Sequence, residues 1–395
     1  MDVPTDATIP TEFHAAKPFD CTVAGNQLKV IPGGDARLAA LLGLIDTAEH
    51  SLRMCFYIFE PDACGQRVRD ALVASARRGV DVTLIIDSFG SSDTPASFFE
   101  PLLAAGGKFC SFSARASVRY LIRNHQKIVI RDEQVAMIGG FNVAEDYFAP
   151  PADNGWHDLA LTIEGDAVAP LVTYFDALDA WTSNRKAQWR SIRRIIRTWQ
   201  PGEGRLQWLL GGPTNRLSPW ARCISNDLRQ AKRLDIMSAY FSPARSLMRR
   251  IGVAARSGTA RLVLPAKSDN AATIGASRLL YGYLLKRRAE IYEFSPCKLH
   301  TKLIVIDDAV YIGSANLDMR SLYLNLEIML KVTDAAFADR MRAYIENHFV
   351  ASERIAPAVH RGRATLLTRT RWLLSWFIVA VVDYTVTRRL NFGLR

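Results

Sequence analysis

The chain has no CxxC pair, and its six cysteines, Cys21, Cys55, Cys64, Cys110, Cys223 and Cys297, form no cluster with its seven histidines. That spacing excludes a zinc-type ligand set and predicts free thiols in a reducing compartment, with no disulfide framework. Long apolar runs are missing as well. The longest, WLLSWFIVAVV from Trp372 to Val382, falls well short of the roughly 20 residues a spanning helix needs, so a membrane span is not expected. The opening MDVPTDATIPTEFHAAKPFD lacks a basic n-region and an apolar h-region, which predicts no signal peptide and a cytosolic location. Anionic charge is in deficit: 39 Asp and Glu stand against 50 Lys and Arg, a net +11. This points to an anionic partner, whether nucleic acid, a phosphorylated small molecule or an acidic membrane surface, and charge alone leaves all three open.

What the chain does have is a duplication. HQKIVIRDEQVAMIGGFN, His125 to Asn142, and HTKLIVIDDAVYIGSAN, His300 to Asn316, share a histidine, a lysine two residues on, an aspartate seven on, and a glycine-led ending in asparagine. Upstream of each lies the same order of elements. In the first half, GGDARLAALLGLIDTAEH reads as a helix, SLRMCFYIFE as a strand, DACGQRVRDALVASARRG as a helix and VDVTLIID as a strand. In the second, SPWARCISNDLRQAKR, LDIMSAYFS, PARSLMRRIGVAARSG and TARLVLPA repeat that order. Strand, helix, strand with apolar strand cores predicts an α/β fold of two duplicated domains, each a mixed, largely parallel sheet flanked by helices. An arginine-rich stretch, Trp181 to Gly204, ends in a Pro/Gly segment and sets the domain boundary near residue 200. The expected organisation is an extension over 1–30, domains over 31–200 and 201–355, and a basic amphipathic segment over 356–395.

On a strand, residues two apart point to one side, so each histidine and lysine form a pair. Brought together across a pseudo-twofold interface, two imidazoles and two ammonium groups surround one cavity. Lysines bind phosphate oxygens as point charges, and asparagine amides with the Ser314 hydroxyl add hydrogen bonds. One imidazole attacks phosphorus while the other protonates the leaving alcohol, then activates an incoming alcohol or water; this is phosphodiester exchange with neither metal nor cofactor. Each imidazole needs an acidic partner on its other nitrogen. Asp158 and Glu327, at the heads of the strands that follow the two hairpins, are expected to support His125 and His300 respectively. Asp132 and Asp307 fall at the hairpin turns and are expected to be structural. His157 alternates away from Asp158 and is not expected to act.

The two motifs resemble the paired HxKxxxxD motifs of the phospholipase D superfamily, from about Gly33 to about His348. Within it the chain is similar to the bacterial cardiolipin synthases of the short form that lacks N-terminal transmembrane helices, through Glu60, Asp87, the GG of the first motif and GSANLDMRSLYLNLE after the second. The resemblance implies two fused domains, a phosphatidyl-histidine intermediate and transfer of a phosphatidyl group from phosphatidylglycerol to a second phospholipid. It implies a centre of His125, Lys127, Asn142, His300, Lys302 and Asn316, with His125 as nucleophile and His300 as acid, and Gly140, Ser314 and Glu60 toward the substrate. One departure stands out: five residues separate Asp307 from Gly313 where six separate Asp132 from Gly139, a difference that re-aims Ser314 and Asn316 unless the turn absorbs it.

The C-terminal RGRATLLTRTRWLLSWFIVAVVDYTVTRRLNFGLR joins arginines, tryptophans and an apolar stretch. It is expected to lie in the headgroup region of an anionic membrane, on its cytosolic face. A hydrolase using water, a phospholipase D or a nuclease, is the alternative function, since +11 suits nucleic acid too. Against nucleic acid stand the apolar tail and the lack of aromatic stacking runs among the basic patches.

Overall fold

The computed structural model describes residues 13–112, 122–184, 189–199, 201–214 and 216–382. The first half contains β1 (Phe19–Val23), β2 (Asn26–Ile31), α1 (Gly34–Asp46), β3 (Ser51–Phe56), α2 (Ala63–Arg77), β4 (Asp81–Asp87), α3 (Glu100–Ala104), β5 (Lys108–Phe112), β6 (Ile128–Arg131), β7 (Val135–Gly139), β8 (Trp156–His157), β9 (Ala160–Glu164), α4 (Ala169–Ser183) and α5 (Trp189–Thr198). The second contains β10 (Leu206–Gly211), α6 (Pro219–Asp227), β11 (Arg233–Ser238), α7 (Arg245–Ser257), β12 (Thr259–Pro265), α8 (Ala271–Leu285), β13 (Glu290–Phe294), β14 (Lys298–Leu299), β15 (Lys302–Ile306), β16 (Ala309–Gly313), α9 (Met319–Tyr323), β17 (Glu327–Thr333) and α10 (Ala335–Glu346). After these come β18 (Ser352–Arg354), α11 (Pro357–Arg363), α12 (Leu366–Trp376) and a π-helical stretch, Phe377–Val382.

Two eight-stranded sheets result, ordered β1-β2-β9-β7-β6-β3-β4-β5 and β10-β17-β16-β15-β11-β12-β13-β18. The α/β duplication stands. Within these two sheets, among the described residues, only β3-β4-β5 and β11-β12-β13 pair in parallel, however, so the sheets are less parallel than their strand–helix–strand stretches suggest. The reason is that both motifs fold as antiparallel hairpins, β6–β7 and β15–β16, inserted against β3 and β11. The first sheet also begins at Phe19, so residues expected in an N-terminal extension form its edge hairpin.

The unequal motif spacing is absorbed at the turns. β6 and β7 pair Arg131 with Val135 around three residues, whereas β15 and β16 pair Ile306 with Ala309 around two. Asp132 and Asp307 sit there with φ of 50° and 47°. Beyond the turns both hairpins keep one register, so Ser314 and Asn316 are not re-aimed. One apolar core runs across both halves, joining Ile128, Ile138 and Leu161 with Leu303, Ile312 and Ile328. That shared core fixes the two motifs relative to each other.

No single helix among the described residues is long and apolar enough to cross a membrane; α11 and Leu366–Val382 pass by length and composition only as a pair, bent by 94°. α12 lies on α8, where the absence of a side chain at Gly275 lets Ser375 approach: a Cβ there would sit 2.6 Å from its Oγ.

Candidate active site

Each histidine finds its carboxylate in the other half of the chain. His125 Nδ1 lies 3.0 Å from Glu327 Oε2, and His300 Nδ1 lies 2.6 Å from Asp158 Oδ2. This corrects the expected pairing of Asp158 with His125 and of Glu327 with His300. The cause is the way the halves dock. Leu299 and His300 run beside His157, with β14 paired in parallel to β8 and the His300 N–H donating to the His157 carbonyl at 2.8 Å. Reciprocally, the His125 N–H donates to the Leu326 carbonyl at 2.9 Å, and Leu326 donates to Arg123. The segment before each histidine therefore lies against the segment before the partner carboxylate, the reciprocity of a twofold contact.

His300, Asp158 and Glu327 are buried and the His125 side chain is 12% exposed, and withdrawal from water dominates the histidines' electrostatics. It pushes His125 down to about 4 and His300 to about 3, against the opposing pull of their carboxylates. Burial would raise Asp158, but Lys302 and His300 outweigh it and hold the carboxyl below its ordinary value; His125 and Lys127 do the same for Glu327. A carboxylate accepting a hydrogen bond from Nδ1–H leaves Nε2 of a neutral imidazole as the nucleophilic nitrogen. Lys127 Nζ donates to the carbonyl of His125 at 2.8 Å, and Lys302 Nζ donates to that of His300. Each lysine is thus pinned to its own histidine. Desolvation lowers these ammonium groups to about 7 and about 8.

The histidines open onto one cavity of about 630 Å³, lined also by Tyr57, Ile58, Arg123, Asn142, Tyr147, Tyr240, Asn316, Arg320, Ile378 and Val379. Asn142 and Asn316, one from each half of the chain, are buried in its lining, and Asn142 Nδ2 and Asn316 Oδ1 have no hydrogen-bond partner among the described residues. Buried polar atoms left unpaired suit a ligand that pairs them.

The other expected residues fall elsewhere. Ser314, expected at the substrate, is fully buried and donates to Glu327 Oε2 at 2.5 Å, so it supports the carboxylate instead. Ser321 Oγ and Asn325 Nδ2 donate to Oε1 of the same residue at 2.8 and 3.4 Å. Gly140 occupies the equivalent place in the first half. A Cβ there would stand 2.7 Å from both Asp158 oxygens and 2.8 Å from Lys302 Cδ, so the glycine makes room for the crossed pair. Glu60 is exposed and is not among the residues lining the cavity; its backbone N–H donates to Val143. Asp132 accepts from the N–H groups of Glu49, His50 and Ser51, and Asp307 from those of Lys232 and Arg233. Both tie a hairpin turn to the start of the neighbouring strand. His157 points away from the cavity and contacts His348 Nε2 at 2.7 Å.

Sequence reasoning missed Ser321, Asn325, Tyr147, Trp156 and Arg37. Tyr147 and Trp156 stand edge-on to the His300 ring, with centroids 5.1 and 5.0 Å away. Arg37 did leave a signal. It is a charge on the otherwise apolar helix stripe of Leu41, Leu44 and Ile45.

Comparison with known proteins agrees with this architecture. The family model described as "Cardiolipin synthase, PLD-like domain" matches residues 41–178 and 224–349. Cardiolipin synthase A of Pseudomonas aeruginosa is 30% identical over 351 residues, 86% of this chain and 70% of that protein. Cardiolipin synthase of Geobacillus thermodenitrificans is 32% identical over 316 residues, 77% of this chain and 62% of its own. Among solved structures, the phosphatidylserine synthase of Haemophilus influenzae Rd KW20 superposes with a TM-score of 0.71 at 14% identity, covering 94% of this chain and 97% of that one. The polyphosphate kinase of Porphyromonas gingivalis gives 0.58 at 14% identity, with 85% and 49% covered. With two matched domains, two intact motifs and one shared cavity, the chain belongs to the cardiolipin synthase family of phospholipase D-like proteins.

Proposed function

We propose that the protein transfers a phosphatidyl group from phosphatidylglycerol to a second phospholipid, with phosphatidylglycerol as acceptor, forming cardiolipin and releasing glycerol. The observation that carries this reading is the crossed pair of imidazole–carboxylate couples facing one cavity. Lys127, Lys302 and the two asparagines hold the phosphodiester oxygens. Its negative charge between the imidazoles favours a protonated His300. Nε2 of His125 attacks phosphorus, the bond from phosphorus to the glycerol oxygen breaks, and His300 gives that oxygen its proton. Now neutral, His300 takes the proton of the acceptor's hydroxyl as that oxygen attacks the phosphatidyl-histidine, which frees His125. Glu327 and Asp158 stabilise the positive charge on each imidazole in turn.

The acceptor has to be a lipid alcohol in preference to water, and α12 supports its delivery. Leu366, Leu367, Leu373, Leu374, Phe377, Ile378 and Val382 are exposed along one stripe, and Ile378 also lines the cavity. An apolar stripe ending at the mouth, with Arg369 and Arg371 exposed beside it, suits a helix lying in the headgroup region of an anionic membrane. Arg388 and Arg389, which follow the apolar stretch in the sequence, lie outside the described residues.

The test is to incubate the protein with labelled phosphatidylglycerol in mixed micelles containing EDTA, beside His125→Ala and His300→Ala, and to resolve the lipids. Cardiolipin and glycerol from the wild type alone are expected. Phosphatidic acid as sole product would make water the acceptor and the protein a hydrolase, and no lipid turnover would redirect the search to other phosphodiesters.

A further inference from the structure

Arg37 is 1% exposed, yet it lies on α1, away from the cavity lining. Its hydrogen bonds go to main-chain carbonyls. Nη1 donates to Pro32 and, at 2.5 Å, to Asp158; Nη2 donates to Tyr147 at 2.7 Å and Trp156 at 3.3 Å. A guanidinium withdrawn from water is costly, and burial lowers its proton affinity, partly offset by Asp158. What it gathers explains its retention. Tyr147, Trp156 and Asp158 all contact the His300 ring, two by ring edges and one by a carboxylate, beside Lys302 Nζ at 2.9 Å from Nδ1. The other half does this differently, because Glu327 is fixed by side chains, Ser314, Ser321 and Asn325. One imidazole is therefore oriented by a buried cation and the other by hydroxyls and an amide.

We propose that Arg37 is a positioning residue for the proton-donating half of the site: it clamps the segment 147–158 so that Asp158 holds the His300 imidazole in line with the leaving oxygen. The proposal rests on the reading of His300 as proton donor and of His125 as nucleophile. It predicts an effect confined to leaving groups that need a proton. With glycerol leaving, the bond from phosphorus breaks only as His300 protonates the oxygen. With p-nitrophenol in its place, that bond breaks and the group departs as the phenolate, unprotonated, while the same bond forms between His125 Nε2 and phosphorus.

The experiment compares wild type, Arg37→Met, Arg37→Lys and His300→Ala on two substrates in mixed micelles: phosphatidylglycerol, and the same diacyl phosphate esterified to p-nitrophenol, read as the first-turnover burst. Arg37→Met is expected to lower kcat on phosphatidylglycerol on the order of 10²-fold, with KM within about twofold and the p-nitrophenol burst within about threefold of wild type. Arg37→Lys restores part of the phosphatidylglycerol rate. Equal losses on both substrates, or none on either, overturn the proposal, as does failure of both Arg37 variants to fold. If only Arg37→Lys folds, it must show the same split at smaller size. His300→Ala separates the two claims. Loss of the burst there overturns the assignment of His300 as donor, whereas a split in His300→Ala without one in the Arg37 variants overturns the role of Arg37 alone.

Discussion

At the scale of single residues, the crossed couples make a prediction that the within-domain pairing does not. With ring-15N histidine, Glu327→Gln is expected to move the His125 ring resonances and leave those of His300 in place, and Asp158→Asn to do the reverse; the opposite pattern would restore the within-domain pairing. By analogy with other imidazole–carboxylate couples, Glu327→Gln should also lower kcat by roughly 10³-fold or more. The lysines give a pH dependence. In the free protein burial holds Lys127 at about 7 and Lys302 at about 8, and an arriving phosphodiester favours their charged forms, so binding takes up protons. The KM for phosphatidylglycerol is therefore expected to rise as pH is raised from below 7 to above 8, while a KM flat across that range would show the lysines fully charged before substrate arrives.

At the scale of elements, the hairpin turns and α12 carry separate burdens. Asp132 makes three hydrogen bonds to backbone N–H groups from a left-handed position. Asp132→Ala is expected to cost about 1–3 kcal/mol in urea unfolding, with kcat of the folded protein within about twofold; a large loss of kcat at unchanged stability would move this aspartate into the chemistry. For α12 and the π-helical stretch that follows it, replacing Leu373, Phe377 and Ile378 together by serine should weaken binding to phosphatidylglycerol vesicles on the order of 10²-fold or more, without altering the unfolding midpoint, and unchanged vesicle binding would leave the stripe needing another partner. The elements that were legible in the sequence are those with local signals. α2 starts where Asp62 caps Gly65 N and ends before Gly79 at φ 93°, and the hairpins announce themselves by alternation and turn residues. The β1–β2 edge hairpin was not legible, because its FDCTV and NQLKVI strands are short and half polar; β2 becomes a strand by pairing with β9 far along the chain, and β1 by pairing with β2. The pairing of His125 with Glu327 was hidden for the same reason: 202 residues separate them, and a sequence places each carboxylate nearest the motif it follows.

At the scale of the whole molecule, the two halves share a core, and its buried histidines tie cohesion to pH. His157 comes from the first half and His348 from the second, their Nε2 atoms 2.7 Å apart. His348 Nδ1 donates to the Tyr344 carbonyl at 2.8 Å, so its Nε2 accepts from His157. That bond requires His348 to be neutral, since protonating it would set two donors against each other. Burial lowers His348 and His125 from 6.5 to about 4 and His300 to about 3. Between pH 6.5 and about 4 the unfolded chain thus binds protons that the folded one does not, and stability falls as pH falls, by about 1.4 kcal/mol per pH unit for each fully titrating imidazole. Asp158 and Glu327, whose carboxyls are held below their ordinary values, add to the loss at still lower pH. The urea midpoint is expected to drop steeply across that window. Because the His157 carbonyl also holds the His300 N–H, loosening this contact reaches the site directly, so activity should be lost at or before the unfolding midpoint. A midpoint that stays level from pH 6.5 to 4 would mean that these rings are solvated enough to charge in place.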